Sequence, residues 1–336
     1  MSKKRVCIIG AGIAGLSTAY AFLAKHHQNV DVTIVSKDFE ENTTSWVAAG
    51  VQGAVDTEKK LEWARKTKRF LLKLLNSGKG EECGIYWSLG YKIYVDCVKD
   101  FRKTFQNDII KELTKEEVEN IFPHFEFSQF KSAYLINALF CNPMVFLPYL
   151  HKQIQDMGGK FIQKEIHDIS ELHEFDCIVN CAGLGARNLV KDDTLHAVRG
   201  QVTHVKAPST HFWYELSDEI YGFPSTNGEF KVGGCYQLDN TSIEVDEHMK
   251  YEMLSNAYKL HPTLRSCTVI KDYVGLRPYR VDGPRVELEK MVINNRTVNV
   301  VHNYGHGARG WSLFWGCSNQ AVDLGLTALL CKTSNL

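Results

Sequence analysis

The sequence predicts a mixed α/β (α+β) fold in which a parallel, nucleotide-binding sheet is interleaved with an antiparallel-sheet domain, and three observations predict it. The chain opens on an apolar run, a glycine turn and a helix-like stretch, VCIIGAGIAGLSTAYAF, with a second strand at βαβ spacing behind it. Glycine-bearing strand-to-helix turns return at residues 183–185 and 305–310. Between Val198 and Val281 the texture changes to alternating, strand-like segments. The boundaries that follow are 1–55, 140–197 and 286–336 for the nucleotide domain and 56–139 and 198–285 for the other, with no Pro/Ser-rich linker and no internal repeat between them.

The first unit is the most informative. Val6 to Ile9 ends at Gly10, Gly12 and Gly15 follow, and AGLSTAYAFLAK has helical character. That order aims unpaired backbone N–H groups and the positive end of a helix dipole at one point, where glycine lets a pyrophosphate reach the main chain. Asp31 to Ser36 is the second strand, and Asp38, 23 residues after Gly15, falls near the ~20 expected of a ribose-binding carboxylate, although Lys37 precedes it. Lys3, Lys4 and Arg5 imitate the start of a secretory signal, but glycines interrupt the apolar run and no good small-residue cleavage site follows.

Asn42 to Val55, NTTSWVAAGVQGAV, is rich in small and hydroxyl residues and reads as a loop lining a ligand. An amphipathic helix is expected from Thr57 to Asn76, with Arg65, Lys66, Lys68 and Arg69 on its solvated face. Thr114 to Glu117 carries a capping-box pattern and starts a short helix that stops before Pro123. Pro143 to Met157 is a helix ended by Gly158-Gly159, Lys160 to Ile166 a strand, and Phe175 to Cys181 a buried strand leading into Ala182-Gly-Leu-Gly185 and another helix. GQVTHVKA, FKVGGCYQ and TVIKDYVGLRPYRV are antiparallel-sheet material, and VNVVHNYGHGARGWSLFWG returns to strand, glycine turn and apolar helix.

Composition excludes several function classes. With 39 basic and 39 acidic residues no net field attracts nucleic acid or an anionic membrane. No apolar run reaches the ~18 residues of a membrane span, and 44% hydrophobic residues in 336 suit a soluble globular protein. The ten cysteines include no C-x-x-C pair, and Cys7, Cys177 and Cys181 sit in apolar runs as small hydrophobes of a reducing compartment. Thirteen histidines without H-E-x-x-H or clustered spacing predict no metal.

The motifs GAGIAGLSTA (Gly10–Ala19), TTSWVAAG (Thr43–Gly50), NCAGLGAR (Asn180–Arg187), VRGQV (Val198–Val202), VGLRPYR (Val274–Arg280) and HNYGHGARGWS (His302–Ser312) resemble the D-amino-acid oxidase family of flavoproteins over nearly the whole chain. The resemblance implies a Rossmann-like FAD-binding domain and a substrate-binding domain. Carried over by position, it implies FAD contacts from Gly10, Gly12, Ile13, Gly15, Lys37, Asp38, Thr44, Ser45, Gly50, Val51, Gly307, Ala308, Trp311 and Ser312. Gly307, Ala308 and Trp311 would border the flavin ring, with Ala308 also next to substrate. Arg277 matches the arginine that grips the substrate α-carboxylate, and Tyr221 the tyrosine assisting it. A planar guanidinium suits that task through two parallel charge-assisted hydrogen bonds, while an isolated arginine is more often a structural ion pair. Arg280, Arg285 and His306 read as structural, and Arg309 as a surface residue.

The implied reaction is hydride transfer from Cα to FAD, with molecular oxygen as final acceptor, giving 2-oxo acid, ammonia and hydrogen peroxide. The resemblance is greatest to the branch acting on D-aspartate, D-glutamate and related acids. Alignment of HFWYELSDEIYGFP and KVGGCYQLDN with that branch puts Tyr214 and Tyr236 where it carries arginines for the second carboxylate. Neutral or polar D-amino acids, an amine or sarcosine-type oxidase, and a non-catalytic flavin-binding paralogue therefore stand as alternatives. Ser334-Asn335-Leu336 is a variant of the S-K-L address, which implies a peroxisomal import receptor as partner and the peroxisome, otherwise the cytoplasm, as location.

Overall fold

The computed structural model describes residues 3–53, 55–95, 109–127, 129–217, 220–293 and 296–331. Ser334-Asn335-Leu336 lie outside the described residues. In chain order the strands are β1 (Lys4–Ile9), β2 (Val30–Ser36), β3 (Ile85–Tyr94), β4 (Ile109–Leu113), β5 (Ser132–Cys141), β6 (Lys160–Gln163), β7 (Cys177–Asn180) and β8 (Leu195–Lys206). They continue as β9 (Trp213–Leu216), β10 (Ile220–Pro224), β11 (Glu229–Gly233), β12 (Gln237–Leu238), β13 (Thr268–Arg280), β14 (Arg285–Ile293) and β15 (Arg296–Tyr304).

Two sheets result. The first runs β14-β15-β7-β1-β2-β6 and is parallel except for the β14–β15 edge. Its β1 alternates between two buried faces, Val6 and Ile8 in one apolar cluster and Cys7 and Ile9 in another, so the strand is apolar throughout. Helices α1 (Ile13–His26), α3 (Glu58–Leu74), α6 (Pro143–Asp156) and α9 (Gly310–Cys331) pack on the first face; the four-residue α2 (Thr44–Val47) lies beside β13. The second sheet runs β12-β8-β11-β10-β9-β3-β5-β4, with β13 also paired to β8.

Local chemistry explains most boundaries. Thr57 caps α3 by accepting from Lys60 N, and Asn142 caps α6 from Met144 N with Pro143 in the first turn. Thr114 and Glu117 form the reciprocal capping box that starts α5 (Lys115–Ile121). The expected strand Lys160 to Ile166 ends at Gln163, and the turn at Gly183 opens only a short 3-10 segment and α7 (Ala186–Leu189). Between α3 and β3 the described residues add α4 (Gly80–Cys83). One element contradicts the all-strand reading of 198–281: α8 (Glu247–Leu260), capped by Asp246. Its buried residues Met253, Ala257 and Leu260 recur four and three apart, a helical period on an otherwise polar segment.

Arg280 and Arg285 have structural partners. Arg280 Nε pairs with Asp192 Oδ2 at 2.9 Å, Tyr304 donates to the same oxygen at 2.8 Å, and Arg285 pairs with Glu287 and Glu289. Burial raises the Asp192 pKa, but hydrogen bonds from Thr194, Arg280 and Tyr304 win and hold its carboxyl well below the usual range. Arg280→Met is therefore expected to cost about 3 kcal/mol in urea unfolding, because it takes the counter-ion from a largely buried carboxylate and leaves it only the neutral donors of Thr194 and Tyr304. A depressed carboxylate contributes stability above its unfolded pKa and loses it as pH falls through the folded value, so the wild-type advantage over Asp192→Asn should fade as pH drops from about 3.8 downward.

Candidate active site

The glycine turn after β1 is built for close approach. Gly10 has φ +99°, its N–H donates to Val35 O at 2.8 Å, and a Cβ there would lie 2.5 Å from Cys181 O. A Cβ on Gly15 would lie 1.9 Å from Gly10 O, so helix and turn pack backbone to backbone. Gly12 differs, since the side chain of Ser45 is all that a Cβ would meet, at 3.0 Å. Ser45 Oγ also accepts from Ile13 N at 2.9 Å, placing a hydroxyl at the N-terminus of α1. Ser36, which the sequence reading did not single out, accepts from Ala11 N at 3.1 Å and donates to Asp38 O at 2.6 Å, tying the turn to the end of β2. Beside Asp38, Lys37 Nζ pairs with Glu165 at 3.2 Å.

The loop from Thr44 to Gly53 joins the two sheets. Thr44 donates to Leu276 O at 3.1 Å, one residue before Arg277. Gly50 has φ +77° and sits so close to β5 that a Cβ would be 1.9 Å from Cys141 O. Val51 bridges to Phe140, and Gly53 N donates to Ser312 Oγ at 2.9 Å. Gly307 has φ +55°, and Ala308 beside it is exposed.

Trp311, expected to border the flavin, packs its ring inward. Its side chain is buried against Phe146 and Phe314, and Nε1 donates to Ser45 O at 3.1 Å. The ring therefore belongs to the core and braces the loop from behind. His306 is buried, its Nε2 has no partner, and burial pushes its pKa down to about 4, so it is neutral at physiological pH. Arg309 is half-buried, with Nη1 2.8 Å from the point a Gly53 Cβ would occupy.

On the second sheet Arg277 and Tyr221 come together although 56 residues separate them. Arg277 Nη1 donates to Arg199 O at 3.3 Å and Cys235 O at 3.2 Å, and the guanidinium lies close enough to Tyr221 to act on its hydroxyl. Glycines make the space: a Cβ on Gly200 would lie 2.4 Å from Arg277 Nη2, and one on Gly233 2.4 Å from the Tyr221 hydroxyl. Burial raises the Tyr221 pKa, with Arg277 pulling the other way, so the phenol stays protonated and available as a donor. Neither glycine was singled out by sequence, although glycine inside a strand pattern is a signal of close approach.

Tyr214 is placed against expectation. Register pairs Tyr221 with Glu215 and Gly222 with Tyr214, so Tyr214 points to the opposite face. There it is 1% exposed in an apolar cluster with Phe230, and its hydroxyl has no partner. The residue beside Tyr221 is Glu215, ion-paired with Lys92 of β3. Tyr236 is 60% exposed, within electrostatic reach of Arg277 and Tyr279.

The geometry thus offers a glycine-lined helix N-terminus that can receive a pyrophosphate and a guanidinium beside a phenol that can receive a carboxylate. The residues fit a bound dinucleotide on the open face of Gly12. Comparison with known proteins agrees. A family model described as FAD dependent oxidoreductase matches residues 5–324. D-aspartate oxidase of Homo sapiens is 34% identical over 336 residues, covering 96% of this chain and 95% of that protein. A D-amino acid oxidase of Dugesia ryukyuensis is 29% identical over 331 residues, covering 95% and 96%. The solved glycine oxidase of Bacillus cereus superposes with a TM-score of 0.79 at 20% identity, over 99% of this chain and 96% of that one, which speaks to the fold. The chain belongs to the D-amino-acid oxidase family of FAD-dependent oxidoreductases: it is an enzyme, and its cofactor is FAD.

Proposed function

We propose that this enzyme oxidises D-amino acids, acidic ones foremost, with molecular oxygen and water to 2-oxo acid, ammonia and hydrogen peroxide. The observation that carries the reading is the Arg277–Tyr221 pair, set in glycine notches on the strand face that packs against the 44–53 loop. Bound FAD supplies the electron acceptor. The guanidinium grips the α-carboxylate, the protonated Tyr221 hydroxyl donates beside it, and fixing that end orients Cα. His306, neutral and buried, orders the turn at 305–310 and takes no proton. The 34% identity to a D-aspartate oxidase favours acidic substrates.

One observation favours a second reading, an oxidase of neutral or polar D-amino acids. Tyr214 lies behind the sheet, the charge beside Tyr221 is the Glu215 carboxylate and position 236 is a tyrosine, so neither position expected to carry a side-chain carboxylate clamp presents a guanidinium. A panel of D- and L-amino acids assayed for peroxide decides between them. Turnover of D-aspartate above D-alanine supports the first reading and the reverse order the second. Peroxide from L- but not D-amino acids would overturn both. Tyr236→Arg should raise the ratio of kcat/KM for D-aspartate over D-alanine about tenfold, the effect of one charge-assisted hydrogen bond. An unchanged ratio would remove Tyr236 from the substrate's side-chain end.

A further inference from the structure

Lys231 has no part in the chemistry described so far, yet it is buried where a lysine is costly. It lies on β11 two residues before Gly233, across from Phe223, and so shares the sheet face of Tyr221. Its side chain is 2% exposed, and Nζ donates to Ala48 O at 2.9 Å. Ala48 begins the stretch Ala48–Val51 of the loop that joins the two sheets. An ammonium withdrawn from water in this way is retained where its hydrogen bond performs a task that an apolar side chain cannot.

The task is legible in the peptide geometry. Two carbonyls of the loop are engaged with the second sheet: Ala48 O by Lys231 and Gly50 O by the Cys141 N–H at 2.9 Å. In a trans peptide the N–H points opposite to the C=O. The Ala49 and Val51 N–H groups are therefore turned away from that sheet, and a cation on Ala48 O polarises the Ala48–Ala49 peptide so that its N–H becomes a stronger donor.

We propose that Lys231 is a positioning residue for FAD: by holding and polarising the Ala48–Ala49 peptide from behind, its ammonium sets the loop's N–H donors for the cofactor, and FAD affinity depends on its charge. The groups facing it are few. Glu229 on the same strand pairs with His204 of β8 at 3.0 Å, Cys141 of β5 lies nearby, and Lys271 of β13 faces His204. Burial lowers the Lys231 pKa to about 8, partly offset by Glu229, and pushes His204 down to about 3, so Lys231 is the group of this cluster that loses charge just above neutrality.

The test is titration of apoprotein with FAD, followed by quenching of flavin fluorescence, for wild type, Lys231→Met, Lys231→Gln and Lys231→Arg between pH 7 and 9.5. Lys231→Met and Lys231→Gln are expected to raise the FAD Kd at least tenfold at pH 7, and Lys231→Arg to restore part of the loss. The wild-type Kd should climb about tenfold by pH 9.5, while that of Lys231→Met stays flat. Apoprotein stability separates this role from simple packing. The unfolded lysine keeps its proton to about 10.5 and the folded one to about 8, so the Lys231 contribution to stability rises with pH across that window. FAD affinity should fall across the same window, with the opposite slope. A wild-type Kd independent of pH, or an Lys231→Met Kd within twofold of wild type at pH 7, would overturn the proposal, and the first reading needs no variant to fold.

Discussion

Arg277→Ala should lower kcat/KM for every substrate of this enzyme by a factor of roughly 10²–10⁴ while the purified protein stays yellow. The magnitude follows from two parallel hydrogen bonds to a carboxylate, each contributing roughly 1.5–3 kcal/mol because one partner is charged. FAD should remain bound, because Arg277 is held by Arg199 O and Cys235 O on the second sheet, and these bonds do not reach the glycine turn. Gly200→Ala provides an independent check. Its Cβ would lie 2.4–2.5 Å from the Arg277 guanidinium nitrogens, so displacing the guanidinium without removing it should reproduce much of the loss. Steady-state kinetics together with the visible flavin spectrum read both outcomes. Kinetics unchanged in Arg277→Ala would remove this residue from the site.

Gly12→Ala and Gly15→Ala should fail in different ways. A methyl on Gly12 meets a serine hydroxyl 3.0 Å away and no backbone, so the protein should fold with nearly its normal melting temperature. That methyl occupies the open side of the turn, where a pyrophosphate must reach main-chain N–H groups, and FAD affinity should drop roughly a hundredfold, the loss of about two hydrogen bonds to a charged group. A methyl on Gly15 would lie 1.9 Å from the carbonyl oxygen of Gly10, which α1 cannot relieve without leaving β1. About 3 kcal/mol of stability should go with it. Thermal melts of the apoproteins beside flavin titrations separate the two. Equal FAD binding by Gly12→Ala and wild type would mean that the cofactor does not use this turn.

Local rules with short reach carried much of the fold. The βαβ start, the helix beginning at Thr57, the capping box at Thr114 and the helix stop at Gly158-Gly159 each depend on a few neighbouring residues, and each stands where the chain alone predicts it within a residue or two. The misses have a common cause. Helix α8 buries only Met253, Ala257 and Leu260, so its periodicity is faint amid polar residues, and its apolar stripe exists only because the second sheet is there to receive it. The packing of the Trp311 ring against Phe146 and Phe314 likewise carries no local signal. Ser36 and Lys231 carried no motif at all, because each acts on a backbone atom that the chain brings near only after folding.

The linear chain by itself determined the glycine turns, the mixed sheet architecture and the family, since these reside in short motifs whose backbone demands are local. The tertiary structure decided which side chains share a face. A register of one residue between β9 and β10 sends Tyr214 into the apolar core and brings Glu215 beside Tyr221, and the glycines at 200 and 233 open the space in which Arg277 and Tyr221 meet. The reason is the two-residue period of a strand: spacing along the chain says that neighbours alternate, and only pairing with the next strand says which of them faces the ligand.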